Sequence, residues 1–378
     1  MENSAPIDRI SNLPDELLSH ILSFLPTKLA FTTTVLSKRW TPLFKLLTSL
    51  HFDDEYVPDK DSFLHFCRFV DTVTLSTKLI KTFHLKCSYR HWWCNDSFDV
   101  NSWIETVKRH PLENLQIVSS FIIPFPSSIF IFPALVVLKL DMLKVVADIS
   151  VQSVVLPSLK TLHLIFVHFK NKQNFYNLLY GCPVLENLVA NIHYLEEVKD
   201  VTVSVQDFKA KLISADVDAF DVPLTVISNV NILKLKMMKY RDPWINFTGF
   251  SVFRNLTNLQ LYIFDFPHWD YIVEVLQYCP KLQILYLKKW EINKSINWKY
   301  PKHVPECISF ELKSCTIVYE GRENDIRFTK YILQNARILE VMKITINPHS
   351  SPKPNPQLLE ELSLCPMISS QCKLSILG

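Results

Sequence analysis

Two hydrophobic periodicities divide this chain. Near the N-terminus, Leu17, Leu18, Ile21, Leu22 and Leu25 recur at helical spacing and make one apolar stripe. From Leu112 onwards the pattern becomes L-x-x-L-x-L, whose last two leucines stand two apart, as on one face of a strand. It occurs at Leu112/Leu115/Ile117, Leu135/Leu138/Leu140, Leu159/Leu162/Leu164 and Leu185/Leu188/Ala190. It returns at Val230/Leu233/Leu235, Leu256/Leu259/Leu261 and Leu282/Leu285/Leu287, with a weaker copy at Leu339/Met342/Ile344. The middle positions advance through residues 115, 138, 162, 188, 233, 259 and 285. The one long step, from Leu188 to Leu233, spans two repeats, with Leu212 marking the degenerate copy between them. These periods are those of leucine-rich repeats.

A repeat of this length buries its leucines only against its neighbours, so the strands are expected to stack as a parallel ladder along a curved solenoid. The predicted fold class is α/β. Helical connections are predicted at NSWIETVKRH and DYIVEVLQYCP, and Pro133, Pro157, Pro183 and Pro280 are expected to end helices before the strands. Residues 304–376 read as strand, helix, strand, helix, strand. Phe328, Ile332 and Leu333 form a helical stripe there, Met342, Ile344 and Ile346 alternate, and Asn347–Pro356 is a proline-rich loop.

The N-terminal stripe belongs to LPDELLSHILSFL, residues 13–25. Pro14 suits a first helical turn, Asp15 and Glu16 favour the positive helix start, and Pro26 stops the helix. Thr27 is placed as the cap of a second short helix through Leu29, Ala30 and Thr33. Ser37 is placed as the cap of a third, with Trp40, Leu43, Phe44 and Leu47 on one face, which Pro42 must kink or delay. Three short helices cannot bury all these apolar side chains among themselves. Either the rest of the chain covers the surplus, or a partner's helices do.

Composition narrows the chemistry. The chain has 378 residues, 48% hydrophobic, with a net charge of +3, which argues for neither nucleic acid nor an anionic membrane. Only four glycines occur and none cluster, so phosphate-cradling loops are excluded. Neither G-x-S-x-G nor H-E-x-x-H is present. Nine cysteines without a C-x-x-C pair, and no apolar N-terminal segment, lead to an expectation of reduced thiols in cytoplasm or nucleus. Val118–Leu138 carries no charge, but Pro124, Pro126 and Pro133 break it, and a loop leading into a buried strand is expected rather than a membrane span.

Other local groupings resolve in the same way. His84, Cys87, His91 and Cys94 have no common zinc spacing, and no metal or cofactor is expected. Asp216 and Asp218 read as a solvated turn, and Lys234, Lys236, Lys239 and Arg241 as a solvated strand face. Cys182 and Cys279 repeat at matching phase in CP-x-L-x-x-L, which favours small buried hydrophobes over reactive thiols.

Three stretches carry a resemblance. ISNLPDELLSHILSFLPTKLAFTTTVLSKRWTPLF resembles the F-box of plant F-box proteins. VPECISFEL, GRE, YILQNARILEVMKI and ELSLCPMISSQCKL resemble the FBD module that follows leucine-rich repeats in those proteins. The implied organisation is an F-box at 7–50, a linker and degenerate repeats at 51–110, repeats at 111–300 and an FBD module at 301–378. The F-box resemblance implies docking on a Skp-type adaptor, and through it on a cullin–RING ubiquitin ligase. Carried over by position, the docking residues are Leu13, Pro14, Leu17, Leu18, Ile21, Leu22, Leu25, Pro26, Val35, Leu36, Ser37 and Trp40. Leu29-Ala30-Phe31 departs from the family, which more often places an acidic or small residue there. The FBD implies no chemistry and is expected to cap the solenoid. A client protein is expected on the concave strand face, at Gln116, Lys139, Asp141, His163, Lys234, Lys236, Gln260, Tyr262, Tyr286 and Lys288, the positions that alternate with the buried leucines. A repeat scaffold without ubiquitin transfer is the competing reading.

Overall fold

The computed structural model describes residues 10, 12–88, 100–145, 147–196, 208, 210–238, 252–264, 269–290, 298–319, 322–346 and 356–377. They fall into two compact units, Met1–Leu185 with Asn191–Ala210, and Glu186–Ala190 with Lys211–Gly378.

The first unit opens with α1 (Asp15–Ser23), α2 (Thr27–Thr32) and α3 (Trp40–Phe44). Pro14 is the cap residue of α1 and Pro26 that of α2. Ser37 does not cap the third helix. The helix starts at Trp40, which places Pro42 in its first turn, where a missing N–H costs nothing and no kink is needed. There follow β1 (Ser49–Asp53), α4 (Lys60–Ser76), β2 (Thr82–Cys87), α5 (Val100–Val107), β3 (Asn114–Phe125), β4 (Val137–Val145), β5 (Thr161–Phe169) and α6 (Lys172–Tyr180). Strands β1 to β5 pair in parallel in chain order. Leu50, Phe83, Leu115, Leu138 and Leu162 form one buried rung across them. The ladder therefore begins at Ser49, and the stretch expected to be linker and degenerate repeat supplies two of its strands.

The helical expectations hold for α5, which buries Val100, Trp103, Ile104 and Val107. They fail before Pro133 and Pro157. There the connections are 3₁₀ turns, Ser127–Phe130 and Val151–Ser153, joined by a parallel bridge from Ile131 to Val155. Pro126 stands directly before the first turn, and both segments are too short to bury an amphipathic helix face.

In the second unit, Asn187–Ala190 of β6 (Asn187–Tyr194) pairs with β7 (Ser214–Asp218). The ladder continues through β8 (Ile232–Met238), β9 (Asn258–Phe264), α7 (Asp270–Gln277), β10 (Ile284–Trp290), α8 (Glu306–Phe310), β11 (Ser314–Tyr319), α9 (Glu323–Asn335), β12 (Val341–Ile346), α10 (Pro356–Ser363) and β13 (Lys373–Leu377). All pairings from β7 to β13 are parallel. One rung runs Leu188, Ala215, Leu233, Leu259, Leu285, Cys315, Met342 and Leu374. The strand–helix order expected for the C-terminal segment is found, with the short α8 in addition. Its strands cover the last repeat by extending the parallel ladder. The proline-rich loop expected at Asn347–Pro356 lies almost wholly outside the described residues.

The L-x-x-L-x-L leucines are buried in every copy. Among the described residues, no helix is long and apolar enough to cross a membrane. Val118–Leu138 is the end of β3, a 3₁₀ turn and the start of β4.

Candidate adaptor and client surfaces

Helix α1 carries two apolar faces. Leu18 and Leu22 are fully buried within the chain, so the expectation that they meet a partner is corrected: they are core. Leu17 (50% exposed), Ile21 and Leu25 point outward, joined by Phe24 (74%) from the end of the same helix. Val35 (84%) and Leu36 follow on the turn before α3. Pro14, Pro26 and Ser37 are exposed, while Leu13 and Trp40 are half-buried. Monomeric proteins rarely expose so many large apolar side chains within one short segment, and such a concentration marks an interaction surface. Phe24 and Leu29 belong to it by exposure and were not among the docking residues carried over by resemblance.

Three sets of contacts fix this surface, one within the helices and two that reach the first repeat. Arg39 donates to Asp15 Oδ1 at 2.8 Å and to the Leu13 carbonyl at 2.6 Å, tying the start of α1 to α3. The buried Thr27 hydroxyl does not cap its helix; it accepts the His51 N–H of β1 at 2.7 Å. Phe31 packs edge-on against Phe44 and against Phe69 of α4, both at 5.3 Å. The greasy departure at Leu29-Ala30-Phe31 is thereby explained in part, since Ala30 is buried and Phe31 joins the helices to the first repeat.

The ten residues of the expected client face are all half-buried at outward positions of the strands. In the first unit, Gln116, Lys139 and His163 share one rung, and Asp141 lies in the next between Val118 and Ile165. Burial raises the carboxyl of Asp141, which a backbone hydrogen bond at Met142 partly offsets. In the second unit, Lys234, Gln260 and Tyr286 share a rung, and Lys236, Tyr262 and Lys288 the next.

Asp216 was missed. It stands on β7, not in a turn, and its carboxylate takes Lys234 Nζ and Lys236 Nζ, each at 2.9 Å. The hydrogen bond to Asp216 holds the Lys234 ammonium above its usual range. Trp290 was also missed, although it continues the alternation Tyr286, Lys288. It lies 4.4 Å from Lys288 Nζ, ring centroid to cation, and 6.5 Å from the Tyr262 ring. Lys239 and Arg241 lie outside the described residues.

The groupings set aside on sequence are placed as follows. His84 and Cys87 lie on β2, while His91 and Cys94 fall outside the described residues. Among the described residues, no group of three or more His, Cys, Asp or Glu could hold a metal ion. Cys182 and Cys279 are fully buried and donate to the carbonyls four residues back, of Leu178 and Val275. Burial pushes the Cys182 thiol up to about 12 and raises that of Cys279 as well, which keeps both protonated and unreactive at neutral pH.

Comparison with known proteins bears on these surfaces. The F-box domain matches residues 10–49, the leucine-rich repeats of FBD-associated F-box protein At5g56370 match 100–220, and FBD matches 299–344. F-box/FBD/LRR-repeat protein At4g26340 of Arabidopsis thaliana is 32% identical over 97% of this chain and 99% of its own length. The chain belongs to the F-box/FBD/LRR-repeat family. F-box/FBD/LRR-repeat protein At4g00160 of the same plant is also 32% identical, over 91% of this chain and 87% of its own. FBD-associated F-box protein At3g52670 is 30% identical over 97% of each. The exposed apolar residues of α1 and of the turn before α3 are therefore the surface of an F-box, and β11 and β12 belong to the FBD.

Proposed function

We propose that this F-box/FBD/LRR-repeat protein is the substrate receptor of an SCF-type ubiquitin ligase. Its F-box docks on a Skp-type adaptor and so on a cullin–RING ligase, while the outward face of the strands holds a client protein. The observation that carries the reading is the exposed apolar set Leu17, Ile21, Phe24, Leu25, Val35 and Leu36 on a folded F-box. Burying such side chains is worth roughly 1.5–3 kcal/mol each, enough for a few of them to anchor a stable interface. Pro14, Pro26 and Ser37 complete the exposed surface, with Leu13 and Trp40 at its margin. The reading gives this chain no chemistry of its own: the transfer step belongs to the ligase, and the chain supplies position. It needs neither nucleic acid nor a membrane, and it fits a protein working in cytoplasm or nucleus.

The test is co-purification of the full chain with a Skp-type adaptor and a cullin, followed by ubiquitin transfer to a protein captured on the strand face. Adaptor capture with client modification is the expected outcome. A chain that holds a client but never brings it to modification would be a repeat scaffold, and one that ignores the adaptor would lose the reading altogether.

A further inference from the structure

The reading above leaves the client's chemistry open. Within the second unit, β7 to β12 carry a face whose charges and aromatics are ordered along the ladder. One rung runs Asp216, Lys234, Gln260, Tyr286, Thr316, Lys343. The next runs Asp218, Lys236, Tyr262, Lys288, Val318, Thr345. Charge is not spread evenly over these rows. Both carboxylates sit at the β7 end, and Asp216 occupies Lys234 and Lys236 together. Lys288 and Lys343 have no carboxylate partner among the described residues.

Between the occupied and the free lysines lies an aromatic platform. Tyr262 and Tyr286 are 5.6 Å apart, Tyr262 and Trp290 6.5 Å, and Lys234 Nζ lies 5.1 Å from the Tyr262 ring. Lys288 Nζ lies 4.4 Å from Trp290. The order along the ladder is therefore aromatic on β9 and β10, cation on β10, cation on β12.

Resting on the substrate-receptor reading, we infer that this face takes an extended acidic peptide segment of the client. An aromatic residue lies on the Tyr262–Tyr286–Trp290 platform, and two carboxylates meet Lys288 and Lys343. The spacing follows from sheet geometry. Strands about 4.8 Å apart put β10 and β12 about 10 Å apart, and the two-residue offset of the lysines lengthens their separation to about 12 Å. An extended chain rises about 3.3 Å per residue and repeats its face every second residue. Carboxylates four residues apart span that distance from one face, with the aromatic two residues before the first. The segment lies partly on the FBD, because Lys343 belongs to β12. A nucleic acid fits less well: its affinity grows with each phosphate neutralised, and this face offers two uncommitted cations and two carboxylates at one end.

The experiment uses the full chain and a fluorescent peptide built on Phe-Ser-Glu-Ser-Ser-Ser-Glu between uncharged flanks. The same peptide with both Glu replaced by Gln, the same with both replaced by Lys, and an oligouridine of equal length complete the set. The Glu peptide binds, and the Gln peptide binds about tenfold more weakly, the change that two half-exposed ion pairs carry together. Lys288→Glu/Lys343→Glu abolishes binding of the Glu peptide and gains binding of the Lys peptide, a rescue that an unfolded variant could not give. Equal binding of the Glu and Gln peptides, no binding of either, no gain by the Lys peptide, or tighter binding of oligouridine than of the Glu peptide each overturns the inference. Adaptor capture by the same preparations reports separately. A chain that takes the acidic peptide but no adaptor keeps this inference and loses the ligase reading, and the converse loses this one.

Discussion

Lys289 and Asp325 show what burial demands of a single charge. Lys289 alternates with the outward residues of β10 and so points into the protein, where both side chains are almost wholly excluded from water. Its Nζ lies 3.6 Å from Asp325 Oδ1 and 5.0 Å from the centre of the Trp269 ring. Asp325 Oδ2 accepts the Arg322 N–H at 3.1 Å, so one carboxylate caps α9 and balances the lysine. Removing one partner of a buried pair is costly, because the other stays buried with less to compensate it. Asp325→Ala is expected to cost about 3–5 kcal/mol in denaturant unfolding, while Lys289→Met with Asp325→Leu returns most of that loss. Losses of equal size for the single and double variants would show that the pair does not govern this site. Gly181 poses a steric problem instead. A Cβ there would stand 2.2 Å from Val154 Cγ1 and 2.5 Å from Val154 Cβ. Gly181→Ala is therefore expected to destabilise by about 1–3 kcal/mol, and Gly181→Ala with Val154→Ala to recover part of it in the same melts. Neither site was legible in the sequence, because each depends on a neighbour at least 27 residues away, set by the stacking of repeats.

At the scale of elements, α1 separates two roles that one stripe of leucines had merged. Period alone finds apolar residues; it does not say whether the chain or a partner covers them, and here Leu18 and Leu22 face inward while Leu17 and Ile21 face out. Leu17→Lys with Ile21→Lys is expected to abolish capture of a Skp-type adaptor and leave the unfolding midpoint in place. Leu18→Ala is expected to lower stability by about 2–5 kcal/mol, as buried leucines do. The first two strands add a dependence on pH. His51 and His84 meet edge-on at 4.4 Å, and burial is the main cause that lowers the pKa of each below 6.5. The charge of His51 adds to the cost at His84, lowering it further. The folded protein thus holds both rings neutral where the unfolded chain already takes up protons. By linkage, stability is complete above pH 6.5 and falls as pH drops through 6.5 towards the lower folded values. His51→Gln with His84→Gln should flatten the loss of unfolding midpoint between pH 7.5 and 5.5. An unchanged slope would place the titration elsewhere, with His110 and His168, whose pKa values burial also lowers, as the next rings to replace.

At the scale of the whole molecule, the repeats were legible wherever leucine filled the pattern and hidden wherever another side chain did. Leu47/Leu50/Phe52 and Ile80/Phe83/Leu85 keep the same spacing and burial as the leucine copies, as does Leu312/Cys315/Ile317, yet aromatic and sulfur side chains disguise them. At the C-terminus the FBD caps the repeats by continuing them: β11, β12 and β13 carry the inner rung onward from β10. A lid and a continuation differ in what their removal does. A lid lost leaves a finished strand behind it; a continuation lost leaves β10 with unpaired backbone groups at Ile284–Lys288 and with Leu285 and Leu287 open on one side. It also removes Asp325, a carboxylate partner of the buried Lys289, and removes Phe328, whose ring stacks on Trp269 at 4.1 Å. Truncation after Trp298 is therefore expected to unfold the second unit from its end inward. In hydrogen exchange, the amides of β10 and α7 should lose protection first and those of β9 next. The first unit keeps its own helices and the buried rung from Leu50 to Leu162, so its amides should stay protected and its F-box should still bind the adaptor. Retained protection in β10 after truncation would make the FBD a detachable module, and Lys343 would then have no fixed place beside Lys288.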